Sequence, residues 1–205
     1  VLGGGPSLND YVDEIRERRM SDKENVKVVT LNNTYEWAIK NGIDPSLQFM
    51  IDARPFNARF VETPSPKCQY IIASQCHPSV TENLPTDRTY MWHVTLGPEA
   101  LPKVKELFGT MYEDWFPCPG GSSVMNRALP TLQMLGFRNI EIYGFDSCCV
   151  GEEGKGHHAY EQKENDLTEK DHMIGITVEV IALQFIPNEW ISVLLEGEGI
   201  MPIFA

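Results

Sequence analysis

Val1-Leu2-Gly3-Gly4-Gly5-Pro6-Ser7-Leu8 opens the chain, and its order of residue types is that of a strand, a glycine-rich turn and a helix start. Three glycines let the backbone turn tightly and approach a ligand closely. Pro6 and Ser7 suit the first turn of a helix, where unpaired N–H groups attract anions. The stretch therefore reads either as a phosphate-binding turn or as a plain strand-to-helix turn. The phosphate-binding reading requires an α/β context, with further strands and helices alternating along the chain.

Val26-Lys27-Val28-Val29-Thr30-Leu31 is a β-branched run of strand length that ends in Asn32-Asn33. Thr34 to Lys40 reads as a short helix closed by Gly42. Leu47 to Ile51 is a second strand, delivering Asp52 at its C-terminal end; Tyr70 to Ala73 and Thr89 to Val94 are two more. Behind a Pro- and Gly-rich stretch, Ser122 or Ser123 caps a helix running to Leu135, with Gly136 as its stop. Pro130 either kinks that helix or divides it into two pieces. Ile140 to Asp146 is the clearest buried strand, with Asp146 at its end. An acidic loop from Gly151 to Asp171, a helix over Thr177–Phe185, a strand at Trp190–Leu194 and an apolar tail from Ile200 to Ala205 complete the reading.

Short strands alternating with helices predict an α/β fold, a Rossmann-like three-layer sandwich around a mostly parallel sheet. At 205 residues, with no linker, residues 1–205 are expected to form a single nucleotide-binding domain. Only Val1 and Leu2 precede the glycines, whereas a buried strand carries about five residues, so the first strand is expected to lack part of its length.

A net charge of −12 repels a polyanion, and no Lys/Arg stripe offsets it, so nucleic acid is not an expected partner. No stretch reaches the roughly 20 apolar residues that cross a bilayer, and no secretory leader is visible. A soluble, cytoplasmic protein without a membrane partner is the expectation. The five cysteines, Cys68, Cys76, Cys118, Cys148 and Cys149, are odd in number and lack a C-x-x-C pair, which fits reduced thiols.

In an open parallel sheet, ligands gather beyond the carboxyl ends of the strands, where strand order reverses. Gly3, Gly4, Gly5, Pro6 and Ser7, the pair Asn32-Asn33, Asp52, Ser74-Gln75, the loop Gly120-Gly121-Ser122-Ser123, and Asp146 all fall at expected strand ends or helix starts. Asp52 with Arg54 reads in two ways: a carboxylate for a metal–phosphate or ribose hydroxyl beside a guanidinium for phosphate, or a local ion pair. Asp146 reads as a metal-binding or catalytic carboxylate, or as a cap for a turn. His158 is a candidate general base if its loop covers the site, and His172 beside Asp171 is an oriented base or a surface ion pair.

Gly3-Gly4-Gly5-Pro6-Ser7-Leu8, Thr30-Leu31-Asn32-Asn33, and Gly42-Ile43-Asp44-Pro45 leading into Ile51-Asp52 resemble successive blocks of the 6-hydroxymethylpterin diphosphokinase MptE-like family. Gly120-Gly121-Ser122-Ser123-Val124 and Leu135-Gly136-Phe137, followed by Ile140 to Asp146, are similar to that family's second signature. The resemblance implies a Rossmann-like fold and transfer of diphosphate from ATP to a pterin alcohol with Mg2+, for which Asp52 and Asp146 would be the metal carboxylates. In that family an acid-rich segment follows the third strand; here it has one acid, Asp52.

The opening turn, His158 to Lys163 and His172 to Gly175 also resemble the family 42 sialyltransferases. On that likeness Gly5, Ser7, Asn32, Asp52 and Ser123 would surround the cytidine monophosphate of a CMP-sugar. Ile176 stands where those enzymes place a catalytic histidine, leaving His158 or His172 to substitute. Three expectations result: a diphosphokinase-like transferase using a nucleotide and an acceptor of unknown identity, a glycosyltransferase using a nucleotide sugar, or a nucleotide-binding module without chemistry.

Overall fold

The computed structural model describes residues 1–94, 101–108, 117–118 and 123–146. The expectations for 151–171, 177–185, 190–194 and 200–205 lie outside them. Strands β1 (Val29–Leu31), β2 (Leu47–Met50), β3 (Gln69–Ala73), β4 (Thr89–Val94) and β5 (Pro117–Cys118) stand side by side in chain order, every neighbouring pair parallel. β1 meets β2 with Val29 opposite Leu47 and Leu31 opposite Phe49. Helices α1 (Val12–Ser21), α2 (Thr34–Lys40), α3 (Leu101–Phe108) and α4 (Val124–Met134) connect them, with short 3₁₀ turns at Pro6–Tyr11, Pro55–Val61, Pro78–Val80 and Thr86–Arg88.

The opening residues extend this sheet on the free side of β1. Leu2 bridges in parallel to Thr30 on one side and to Tyr143 on the other. Its N–H donates to the Val29 carbonyl at 2.8 Å, while Gly3 donates to the Tyr143 carbonyl at 2.8 Å. Ile140 to Asp146 does not form the full strand expected of it. Its described partner is the short segment at Leu2, and Gly144 takes a left-handed φ of 68° that ends the extended run. Asp146 therefore lies beyond a turn rather than at a strand end.

From residues 1–3 through β5 the chain steps in one direction, and right-handed crossovers place those connections on one face. The packing agrees. Leu8, Ile15, Trp37 and Ala38 form one cluster with Leu2, Val28, Ile43 and Tyr143, and Tyr35, Phe60, Val61 and Val80 pack with Met50, Tyr70 and Ile72. After β5 the chain returns across the other face as α4, whose Met125, Ala128, Leu129 and Leu132 cover Val29, Leu31, Phe49, Ile71, Trp92 and Ile142. This is the three-layer, Rossmann-like α/β arrangement. Strand order reverses between residues 1–3 and 140–143.

Local signals account for the helix ends. α2 closes at Asn41, and Gly42 takes φ 69°. α4 begins at Ser123, whose Oγ accepts from the Asn126 N–H, and closes before Gly136 at φ 99°. Of the two readings of Pro130, the division into two pieces does not occur: α4 runs through it.

Candidate functional site

The reversal point is built by two close approaches. A Cβ on Gly3 would lie 2.3 Å from the Gly144 carbonyl oxygen, and one on Gly5 would lie 2.4 Å from Asp146 Oδ2. Glycine is demanded here by the neighbouring backbone and carboxylate. Gly5 donates its N–H to the Gly144 carbonyl at 2.8 Å, and Asp146 accepts from Ser7 twice, from the N–H at 2.7 Å and from Oγ at 2.6 Å. Asp146 thus caps the Pro6–Tyr11 turn, in the place where the sequence suggested an anion. With Gly3 and Gly5 engaged and Pro6 lacking a donor, the Gly4 N–H is the turn's spare amide, with no acceptor among the described residues.

The first turn of α4 arrives at the same point from the opposite face. The Met125 methyl carbon would stand 3.0 Å from a Gly3 Cβ. Ser123 caps the helix, and the next turn carries Asn126 and Arg127, which are 1% and 4% exposed. Neither Nδ2 nor Oδ1 of Asn126 has a hydrogen-bond partner among the described residues. Pro130 has no N–H for the Asn126 carbonyl, its ordinary acceptor four residues back.

Along the rim from this point, the polar residues tie strand ends together. Asn32 adopts φ 46°; its side-chain oxygen accepts from the Ile51 N–H at 3.2 Å, and its carbonyl accepts from Gln48 Nε2 at 2.6 Å. Gln48 also accepts from Thr30 Oγ1 at 2.6 Å, so two buried polar side chains satisfy each other beneath α2. Asn33 directly precedes α2 without a side-chain cap. Asp52 is held by Arg54 through the backbone N–H at 3.0 Å and a bidentate guanidinium pair. Partial burial pushes the Asp52 carboxyl up, but the Arg54 hydrogen bonds and charge outweigh it and leave the group below the usual carboxylate range. The local ion pair is the reading this geometry matches.

At the ends of β3 and β4, Ser74 Oγ and His93 Nδ1 lie 2.8 Å apart, and Gln75 donates to the Ile51 carbonyl at 2.8 Å. Burial lowers the His93 imidazole to about 4. Burial raises both described thiols, Cys68 and Cys76, to about 12, so they stay protonated.

The structure therefore brings Gly3, Gly4, Gly5, Pro6, Ser7 and Asp146 to one place, with the α4 turn that Ser123 caps reaching Gly3 through Met125. It sets Asn32, Asn33, Asp52 and Arg54 further along the rim. Asp52 is committed to Arg54 and Asp146 to Ser7. Among the described residues no group of three or more His, Cys, Asp or Glu could hold a metal. Gly121, Ser122, His158 and His172 lie outside the described residues.

Sequence reasoning missed Asn126 and His93. A polar residue three positions after a cap, in a helix that packs on the sheet through apolar residues, was the legible sign of the first. A histidine near the end of a parallel strand was the sign of the second. Among the described residues no helix is long and apolar enough to cross a membrane.

No curated protein matches the chain. A solved structure of the MAf glycosyltransferase from Magnetospirillum magneticum AMB-1 is similar in fold, with a TM-score of 0.60 at 15% identity. The similarity covers 91% of this chain and 30% of that one. The family model described as 6-hydroxymethylpterin diphosphokinase MptE-like matches residues 1–152. By that match over most of its length, the chain belongs to the 6-hydroxymethylpterin diphosphokinase MptE-like family.

Proposed function

We propose that the protein is a nucleotide-dependent transferase whose donor nucleotide lies across the strand reversal, with a phosphate at the Gly4 N–H. The observation that carries this is the meeting of the Gly3–Gly5 turn, the start of α4 and the Asp146 segment at one point of the rim. Ligands of open parallel sheets bind at such a point. Membership of a diphosphokinase-like family and a fold shared with a glycosyltransferase both support transfer from a nucleotide donor.

Between donor classes, the carboxylate geometry favours a sugar nucleotide over magnesium-bound ATP. Asp52 is committed to Arg54 and Asp146 to Ser7, so neither carboxylate stands free for a metal. Phosphate charge is then met by backbone donors and the dipole at the start of α4. The residues that exchange the proton with the acceptor are sought among His158 and His172, with His93 as a described alternative.

Thermal denaturation with ATP, GTP, CMP and CMP-sugars, each with and without magnesium, tests both levels. Ligand binding to the native state raises the melting temperature by mass action. The expected result is a shift with a nucleotide that persists when magnesium is chelated. A shift seen only with ATP plus magnesium returns the diphosphokinase reading, and no shift with any nucleotide removes the transferase proposal.

A further inference from the structure

Asn126 sits at the third position of α4, where the Ser123 hydroxyl accepts its backbone N–H at 3.3 Å. Its side chain is 1% exposed, yet both carboxamide atoms lack a partner among the described residues. Buried polar side chains are nearly always paired, because an unpaired one has given up its bonds to water for nothing. The same helix packs on the strands through apolar residues, Met125, Ala128, Leu129 and Leu132. A leucine at this position would remove two unpaired groups while keeping the same branched heavy-atom skeleton.

Position explains what the orphaned amide is for. A helix after a parallel strand starts at the carboxyl rim, and side chains on a helix lean toward its N-terminus. The first turn of α4, which carries Asn126, therefore lies at the rim, and Met125 of that turn reaches Gly3. A carboxamide offers an N–H donor and an oxygen acceptor side by side, which pairs with a planar edge presenting the complementary couple. Nucleobases carry such edges, and asparagine meets adenine bidentately in this way.

We infer that Asn126 is the specificity-determining residue that reads the heterocycle of the bound nucleotide, pairing its Nδ2 and Oδ1 with an adjacent acceptor and donor on the base edge. The inference rests on the nucleotide-binding proposal above and adds the residue that distinguishes a nucleotide from a bare sugar phosphate. The dry setting makes that pairing count, because a base lacking the complementary couple leaves the amide unpaired again.

The test uses the whole chain with Asn126→Leu and, as a second variant of smaller volume, Asn126→Ser. Two quantities are read: the melting temperature without ligand, and affinities for the best-binding nucleotide and for ribose 5-phosphate, which has no base. In Asn126→Leu the unliganded protein is expected to melt several degrees higher, while nucleotide affinity falls about tenfold or more. Ribose 5-phosphate affinity is expected to stay unchanged in both variants. A lower melting temperature in Asn126→Leu overturns the inference by showing that the amide holds the fold together. So do unchanged nucleotide affinity, or equal losses for nucleotide and ribose 5-phosphate. A wild-type protein that binds no nucleotide fails the transferase proposal itself, a separate outcome from binding that ignores Asn126.

Discussion

At Gly3 one methyl group decides whether two strand segments can close. Its Cβ would stand 2.3 Å from a backbone carbonyl, and backbone on both sides of the sheet cannot yield cheaply. Gly3→Ala is expected to cost about 3 kcal/mol or more in urea denaturation, the upper end of overpacking effects. Gly136 is a contrast: it has open space around it but φ 99°. Gly136→Ala should cost only about 1–2 kcal/mol, the strain of a left-handed backbone. Equal losses in the two variants would mean that conformation, and not close approach, sets the demand at Gly3. Gly5 belongs with Gly3, since its substituent would displace the Asp146 carboxylate from Ser7.

Elements are held by a few paired polar groups at their ends. Ser123→Ala removes the α4 cap and is expected to lower stability by about 1 kcal/mol. Gln48→Leu has a different target: it leaves Thr30 Oγ1 without the Gln48 acceptor and the Asn32 carbonyl without a donor, inside the layer between β1, β2 and α2. A loss of about 1–3 kcal/mol is expected, measured by the same denaturation. If Gln48→Leu is neutral, the Thr30–Gln48 pair is replaceable by packing alone. α2 is fully legible in the sequence because its limits are set locally, by Thr34 at the start and Gly42 after the end. Residues 140–146 form less strand than their composition predicts. Strand propensity continues through Tyr143, while Gly144 turns left-handed to bring Asp146 onto Ser7.

For the molecule as a whole, acid stability is expected to carry the mark of His93. Its imidazole is lowered to about 4 in the folded state against an ordinary 6.5, so between those values the unfolded chain binds the extra proton. Stability then rises with pH across that window and falls as pH drops from 6.5 toward 4. His93→Gln should flatten this part of a stability–pH profile; an unchanged slope would assign it elsewhere. Asp52 acts lower on the scale. Its depressed carboxyl contributes above the ordinary 3.8, and the contribution is lost as pH falls through the folded value. The α/β class, the mostly parallel sheet and the two glycine-bearing signatures were determined by the sequence alone, because alternation, glycine turns and caps are short-range properties of a chain. Only the tertiary structure decided that Asp146 caps Ser7 from 139 positions away, and that Asn126, in the turn of α4 whose Met125 reaches Gly3, has no side-chain partner among the described residues. Those relations depend on α4 carrying the chain back across the sheet to the free side of residues 1–3, and a pairing made by that long return leaves no local pattern to read.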